Sequence, residues 1–211
     1  MTLQAYQLGC TRGERVLFHD LAFTLEAGGA LRVGGGNGSG KTSLLRMLCG
    51  LACPADGEVL WHGRNVRANR AEFGASLIYV GHANGVKDDL AAWENVALGA
   101  TMAGTPVSRD AACAALEVLG LGHALDLPTG ALSQGQRKRV ALARLQLGAG
   151  RPLWVLDEPF TALDQQAVDA LCATLGQHLA RGGMVVYTTH QEINLGGART
   201  ARLDMGAGAA C

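Results

Sequence analysis

The sequence predicts an α/β fold built on a mostly parallel sheet. Three observations lead there. Short apolar strand segments alternate with helical segments over most of the chain. One apolar strand, residues 30–33, runs into a glycine-rich loop that opens a helix. Another, Leu153–Leu156, ends in two acids, Asp157 and Glu158.

In chain order, residues 3–9 and 21–25 read as turn-rich strands, followed by the strand at 30–33 and the loop at 34–40. Leu44, Leu45, Leu48 and Leu51 recur at helical spacing, so a helix is expected over 41–51. Pro54 and Gly57 mark a turn, and residues 58–61 and 76–80 read as strands. Residues 83–132 are alanine-rich and read as helical, with Ser108 as an N-cap and Gly120 as a stop. This stretch interrupts the strand–helix alternation and is expected to be an insertion. A further helix is expected over 135–146. Asp164 should cap a helix running to Arg181, ended by Gly182-Gly183, and residues 184–189 form a last apolar strand.

Composition narrows the class. The 211 residues suit one compact unit, or a core with a small lobe. Lysine and arginine total 18, and so do aspartate and glutamate. That balance gives no global electrostatic drive toward nucleic acid, so none is expected as a partner. Apolar residues make up 48% and charged residues 17%, which supports a buried core and argues against disorder. No apolar run reaches the about 18 residues needed to span a bilayer. Residues 1–7 lack a basic region followed by an apolar stretch, so secretion is not expected. Cysteines at 10, 49, 53, 113, 172 and 211 form no CxxC pair and read as reduced thiols, mostly packing, without structural zinc.

Gly35-Gly36-Asn37-Gly38-Ser39-Gly40-Lys41-Thr42 fits G-x-x-x-x-G-K-[ST]. Successive backbone N–H groups must point at phosphate oxygens, and glycines permit the positive φ this requires. The following helix presents its N-terminus to the anion. Lys41 suits the β- and γ-phosphates, and the Thr42 hydroxyl suits magnesium. A merely flexible glycine loop would not need a strand before it and a helix after it. Asp157 and Glu158 close an apolar strand at the edge where α/β sheets bind ligands. Asp157 suits magnesium, through water, and Glu158 suits polarising an attacking water. Leu132-Ser133-Gln134-Gly135-Gln136 precedes a basic helix. A serine hydroxyl, a glycine and a helix N-terminus form a second anion-binding device, although Ser133 reads equally as an N-cap. Two such devices for one set of phosphates imply a face-to-face partner.

The set Gly35–Thr42, Leu132–Gln136, Leu153–Glu158, Ala162-Leu163-Asp164 and His190, in that order, resembles the nucleotide-binding subunits of ABC transporters over nearly the whole chain. The resemblance implies a P-loop ATPase with a RecA-like parallel core, an antiparallel β subdomain and a helical subdomain. All would lie in one domain over 1–211, with the core at about 1–82 and 133–211 and the helical insertion at about 83–132. It implies a homodimer that sandwiches ATP and magnesium, with the cradle of one copy facing Ser133, Gly135 and Gln136 of the other. His190 would contact the γ-phosphate, and Asp164 would cross the dimer seam. A coupling groove near residues 82–95 would receive a helix of a membrane partner.

A narrower similarity is to the ATP-binding subunits of the haem exporter of cytochrome c maturation. It rests on Gly81-His82, Trp93-Glu94-Asn95, residues 139–145, the run from Leu153 to Asp164 that includes Phe160-Thr161, and Thr188-Thr189-His190-Gln191. This implies permeases of the CcmB and CcmC kinds as partners, at the cytoplasmic face of a bacterial inner membrane. Haem would be handled by those membrane partners, with no direct binding at Cys53-Pro54 or His82. The chain departs from the wider family at several points. His82 stands where glutamine is usual, leaving a magnesium contact there open. Arg12 stands where an aromatic would stack on adenine; its planar guanidinium can stack instead. Gln134 and Gly36 replace a glycine and a proline. The alternatives are a subunit of another exporter, for drugs or lipids; a soluble ABC ATPase of repair or translation; and a small-molecule P-loop kinase, which would not need 132–136.

Overall fold

The computed structural model describes residues 1–148 and 150–205; Cys211, read above as a reduced thiol, lies outside them. The first two strands, β1 (Thr2–Arg12) and β2 (Arg15–Glu26), form a hairpin. β3 (Gly29–Gly34) leads through the glycine loop into α1 (Lys41–Leu48). β4 (Asp56–Trp61), β5 (Arg64–Asn65), α2 (Arg70–Ala75) and β6 (Leu77–Val80) follow. Then come α3 (Ala92–Met102), α4 (Arg109–Val118), α5 (Gln134–Ala143), β7 (Leu153–Leu156), α6 (Gln165–Ala180), β8 (Met184–Thr188) and β9 (Arg199–Asp204).

The strands form two sheets. One is antiparallel in the order β2-β1-β4-β5; the other is parallel in the order β6-β7-β8-β3-β9. The parallel sheet is covered on both faces, because side chains alternate along each strand. Leu153 and Val155 of β7 join a core with Leu44, Leu45 and Leu48 of α1 and with Leu3, Leu8 and Val59 of the antiparallel sheet. Trp154 and Leu156 point the other way, into a core with Val96, Leu116, Val140 and Leu171 from α3, α4, α5 and α6. Burying each of these leucines contributes about 1.5–3 kcal/mol.

Four expectations change. The helix expected to reach Leu51 ends at Leu48. Gly50 takes φ 68°, the Gly50 and Leu51 N–H groups bond to the carbonyls of Met47 and Arg46, and Leu51 is exposed. Met47, not Leu51, completes the buried stripe. The helix expected to reach Gln146 ends at Ala143. Residues 83–91 are not helical. The buried Asn95 side chain replaces helix bonds there: its Oδ1 accepts from the Lys87 N–H at 2.7 Å, and its Nδ2 donates to Lys87 O and Thr129 Oγ1. Last, α2 and β9 were not expected at all. β9 reads Arg-Thr-Ala-Arg-Leu-Asp, without the apolar run of a central strand, because it is a mostly exposed edge. The caps at Ser108 and Asp164 are as expected: their side chains accept from the N–H groups of Ala111 and Ala167.

His178 of α6 is 7% exposed, stacks on Trp154 with ring centroids 3.7 Å apart, and lies 3.2 Å from the Pro152 carbonyl. Burial holds its pKa below the ordinary 6.5. The unfolded chain therefore takes up the proton first, so stability falls as pH drops below about 6.5, by at most about 1.4 kcal/mol per pH unit. In His178→Phe the Pro152 carbonyl still accepts from Met184 N–H. Denaturant melts between pH 7 and 5.5 should show a flatter decline for that variant than for the wild type.

Candidate functional site

Parallel register gathers the site. Val80 pairs with Leu156, Leu156 with Tyr187, and Thr188 with Val33. The residues just past these strands, His82, Asp157, Glu158, His190 and the Gly34–Gly40 loop, therefore leave from one edge of the sheet. A cleft of about 570 Å³ opens there, lined by Asn37, Gly38, Gly40, Lys41, Thr42, Ser43, His82, Asp157 and Glu158. Arg12, Arg15 and Leu17 of the antiparallel sheet form its far wall. Three fixed cations, Lys41, Arg12 and Arg15, outnumber the two acids, so the cleft suits an anion.

The loop is shaped for such a ligand. Gly35, Gly38 and Gly40 have φ of 133°, 77° and 99°. Gly40 occupies the cap position of α1 without any side-chain cap bond, which leaves the first-turn N–H groups without a side-chain acceptor. Lys41 Nζ is held on the loop's own carbonyls, 2.7 Å from Gly35 O and 3.0 Å from Gly36 O. Ser39 Oγ is buried with no hydrogen-bond partner in the protein, and a Cβ on Gly35 would sit 2.7 Å from it. An orphan hydroxyl, uncapped N–H groups and the Lys41 ammonium fit a polyphosphate.

Asp157 is 2% exposed and bonded at both carboxylate oxygens. Thr42 Oγ1 donates to its Oδ2 at 2.8 Å, and Thr188 Oγ1 donates to its Oδ1 at 2.9 Å. The Thr188 hydroxyl also accepts from the Glu158 N–H at 2.7 Å. That bond pins Glu158 in a left-handed conformation, φ 50°, of the kind that persists only where surroundings enforce it. Lys138 of α5 is buried beside the pair; burial lowers its pKa, while the charges of Asp157 and Glu158 act to raise it. Glu158 Oε1 lies 3.4 Å from His190 Nε2. Magnesium fits Thr42 and Asp157: hard oxygen donors of a hydroxyl and one carboxylate, beside space for phosphate oxygens. The described residues hold no cluster of three or more His, Cys, Asp or Glu side chains that would form an all-protein metal cage.

The second device lies apart, since Ser133, Gly135 and Gln136 do not line this cleft. Ser133 Oγ accepts from Gln136 N–H, and Gln136 Oε1 accepts from Ser133 N–H, a reciprocal cap of α5. The N-cap reading of Ser133 holds, and the cap uses only its oxygen as acceptor, which leaves the hydroxyl proton to be donated. Gly135 has a reason the sequence did not show. A Cβ there would sit 2.4 Å from the Ala162 carbonyl. Asp164 caps α6 and places Oδ2 3.7 Å from Arg139. Thr188, Arg15 and Leu17 went unread as site residues. Thr188 carried one usable signal, a polar residue closing an apolar strand beside the predicted acids.

The family model described as ABC transporter matches residues 18–161. The cytochrome c biogenesis ATP-binding export protein CcmA of Nitrosospira multiformis is 50% identical over 204 residues, covering 97% of this chain and 98% of that one. The CcmA of Aromatoleum aromaticum is 52% identical over 190 residues, covering 90% and 89%. Among solved structures, a dimeric ATP-binding cassette in a post-hydrolysis state with ADP and Pi aligns with a TM-score of 0.81 at 24% identity, covering 97% of this chain and 95% of that one. A bacterial Atm1-family ABC exporter with ATP bound aligns at 0.84 and 22% identity, covering 97% and 37%. These two likenesses carry the fold.

Thr188→Val keeps shape but strips Asp157 and Glu158 N–H of a shared partner. It should lower stability by about 1–3 kcal/mol in denaturant melts and reduce nucleotide turnover in steady-state assays.

Proposed function

Because the chain belongs to the ABC transporter family, as one of its ATP-binding ATPase subunits, we propose that it drives the export step of c-type cytochrome biogenesis, the handling of haem. The observation that carries the catalytic part is the join of the two motifs, Thr42 Oγ1 to Asp157 Oδ2 at 2.8 Å, with Glu158 beside it. The cellular role is supported by relatives about 50% identical over nearly their full length, whose names give that process.

In this reading Gly35, Gly36, Asn37, Gly38, Ser39, Gly40 and Lys41 hold the phosphates of ATP through N–H groups and the ammonium. Thr42 and Asp157 would hold magnesium, with His82 at the rim; bound there it would offset charge on the phosphates and the leaving group. Glu158 orients the attacking water and accepts its proton as the water oxygen bonds to the γ-phosphorus and the bond to the leaving ADP oxygen breaks. His190 holds the γ-phosphate end and orients Glu158. Arg12 lies on the adenine side. Ser133, Gly135 and Gln136 complete the site of a second copy, and Asp164 stands at the seam between copies. The whole chain acts as one ATPase unit, with 83–132 as an insertion within the core that carries α3 and α4.

No described helix is long and apolar enough to cross a membrane. The reading, supported by the export named in the relatives' descriptions, places the chain on membrane permeases, of the CcmB and CcmC kinds, at the cytoplasmic face of the inner membrane. Those permeases contact haem, and residues 82–95 receive the coupling helix. Nucleic acid has no part.

Glu158→Gln tests both levels. The purified variant should bind ATP as the wild type does, hydrolyse it at least about 100-fold more slowly, and leave cells that carry only this form without c-type cytochromes. Wild-type hydrolysis would refute the role of Glu158. Normal cytochrome c with hydrolysis lost would refute the cellular role alone.

A further inference from the structure

β3 and β9 pair so that Arg32 stands opposite Arg202. Two cations directly across neighbouring strands repel. Glu192 separates them: its Oε1 accepts from Arg32 Nη1 at 2.8 Å and its Oε2 accepts from Arg202 Nη2 at 3.0 Å. The hydrogen bond from Arg32, and then the charge of Arg202, hold the Glu192 carboxyl below the usual carboxylate range, so it is ionised at neutral pH. The Arg32 side chain is 15% exposed and the Glu192 side chain 73%, so solvent screens the charge attraction and the fork acts through its hydrogen-bond geometry.

The place of this fork gives it a use. Glu192 lies two residues after His190, on the irregular segment that joins β8 to β9. Apart from the His190–Glu158 contact, the two arginine bonds are the side-chain hydrogen bonds or ion pairs between residues 190–195 and other elements, among the described residues. Arg32 lies two residues before Gly34, on the strand that feeds the phosphate loop. A surface cleft of about 400 Å³ is bounded jointly by Arg32, Glu192, Arg202, His190 and the outer side of Gly35-Gly36.

We propose that Glu192, forked between Arg32 and Arg202, is a positioning residue that ties the segment carrying His190 to the strand that feeds the phosphate loop. This rests on the reading of His190 given above. The fork fixes the His190 backbone relative to the cradle, so that the imidazole meets Glu158 and the terminal phosphate at the same time. It touches no reacting atom itself, and its whole effect runs through His190.

A double-mutant cycle on the full-length dimer reads that dependence. Glu192→Gln should lower kcat for ATP about tenfold, the size expected of a small misplacement, with KM for ATP nearly unchanged. In a His190→Ala background the same change should cost nothing further. Arg202→Gln removes one arm without leaving facing cations; should Glu192→Gln not fold, Arg202→Gln carries the test with a smaller drop in kcat that also vanishes in His190→Ala. Full activity of a folded Glu192→Gln, or losses that multiply in the double variant, would overturn the fork. Full activity of His190→Ala would instead overturn the reading of His190, and the fork's role with it.

Discussion

One buried carboxylate holds the site together. Asp157 is almost wholly removed from water, and desolvating an unpaired carboxylate costs several kcal/mol. Two threonine hydroxyls offset this, one from the helix after the phosphate loop and one from the end of β8. The same contacts therefore do two jobs. They stabilise a charge the fold would otherwise expel, and they lock the ends of β7 and β8 and the start of α1 into one geometry. Thr188 extends the lock to Glu158 by accepting its N–H, which keeps that residue in a strained backbone conformation.

The two helix N-termini of the mechanism are built differently, and the difference follows from local sequence. α1 begins at a glycine with no side chain to cap it, so its first-turn N–H groups stay available to phosphate. α5 begins at Ser133, and a reciprocal cap with Gln136 satisfies it within its own chain. The cap is complete within one chain, and in the proposed function the Ser133 hydroxyl proton and the Gly135 N–H serve an external anion. Gly135 also lets α5 approach the Ala162 carbonyl, which ties the device to the loop between Glu158 and Asp164. An incomplete pocket in one chain and a preformed complement elsewhere on its surface are what a face-to-face pair requires.

The cradle and the acid pair were legible because phosphate chemistry fixes residue types at short spacing, and a strand and a helix confirm the context. The capping residues Ser108 and Asp164 were legible for the same local reason. What escaped depended on distant partners. Thr188 acquires its role from Asp157, 31 positions away. Residues 83–91 have a helical composition, yet Asn95 and Thr129 draw their backbone into a loop. β9 hides because an edge strand needs no apolar run, and the role proposed for its Arg202 depends on register with Arg32 and on the carboxylate of Glu192. The end of α1 was readable in principle, since Gly50 is a C-terminal stop; the apolar spacing of Leu51 outweighed it.

In the proposed function each working pocket is made from two copies. Mixing inactive chains tests it most directly. Lys41→Ala chains lack the cradle's ammonium, and Ser133→Ala chains lack the complementary hydroxyl. In a mixed dimer, one pocket combines the intact cradle of the second with the intact Ser133 of the first. An equimolar mixture should hydrolyse ATP well above either protein alone, with a rate that rises more than linearly with total concentration. Two folded, dimerising variants whose mixture stays as inactive as its components would contradict it.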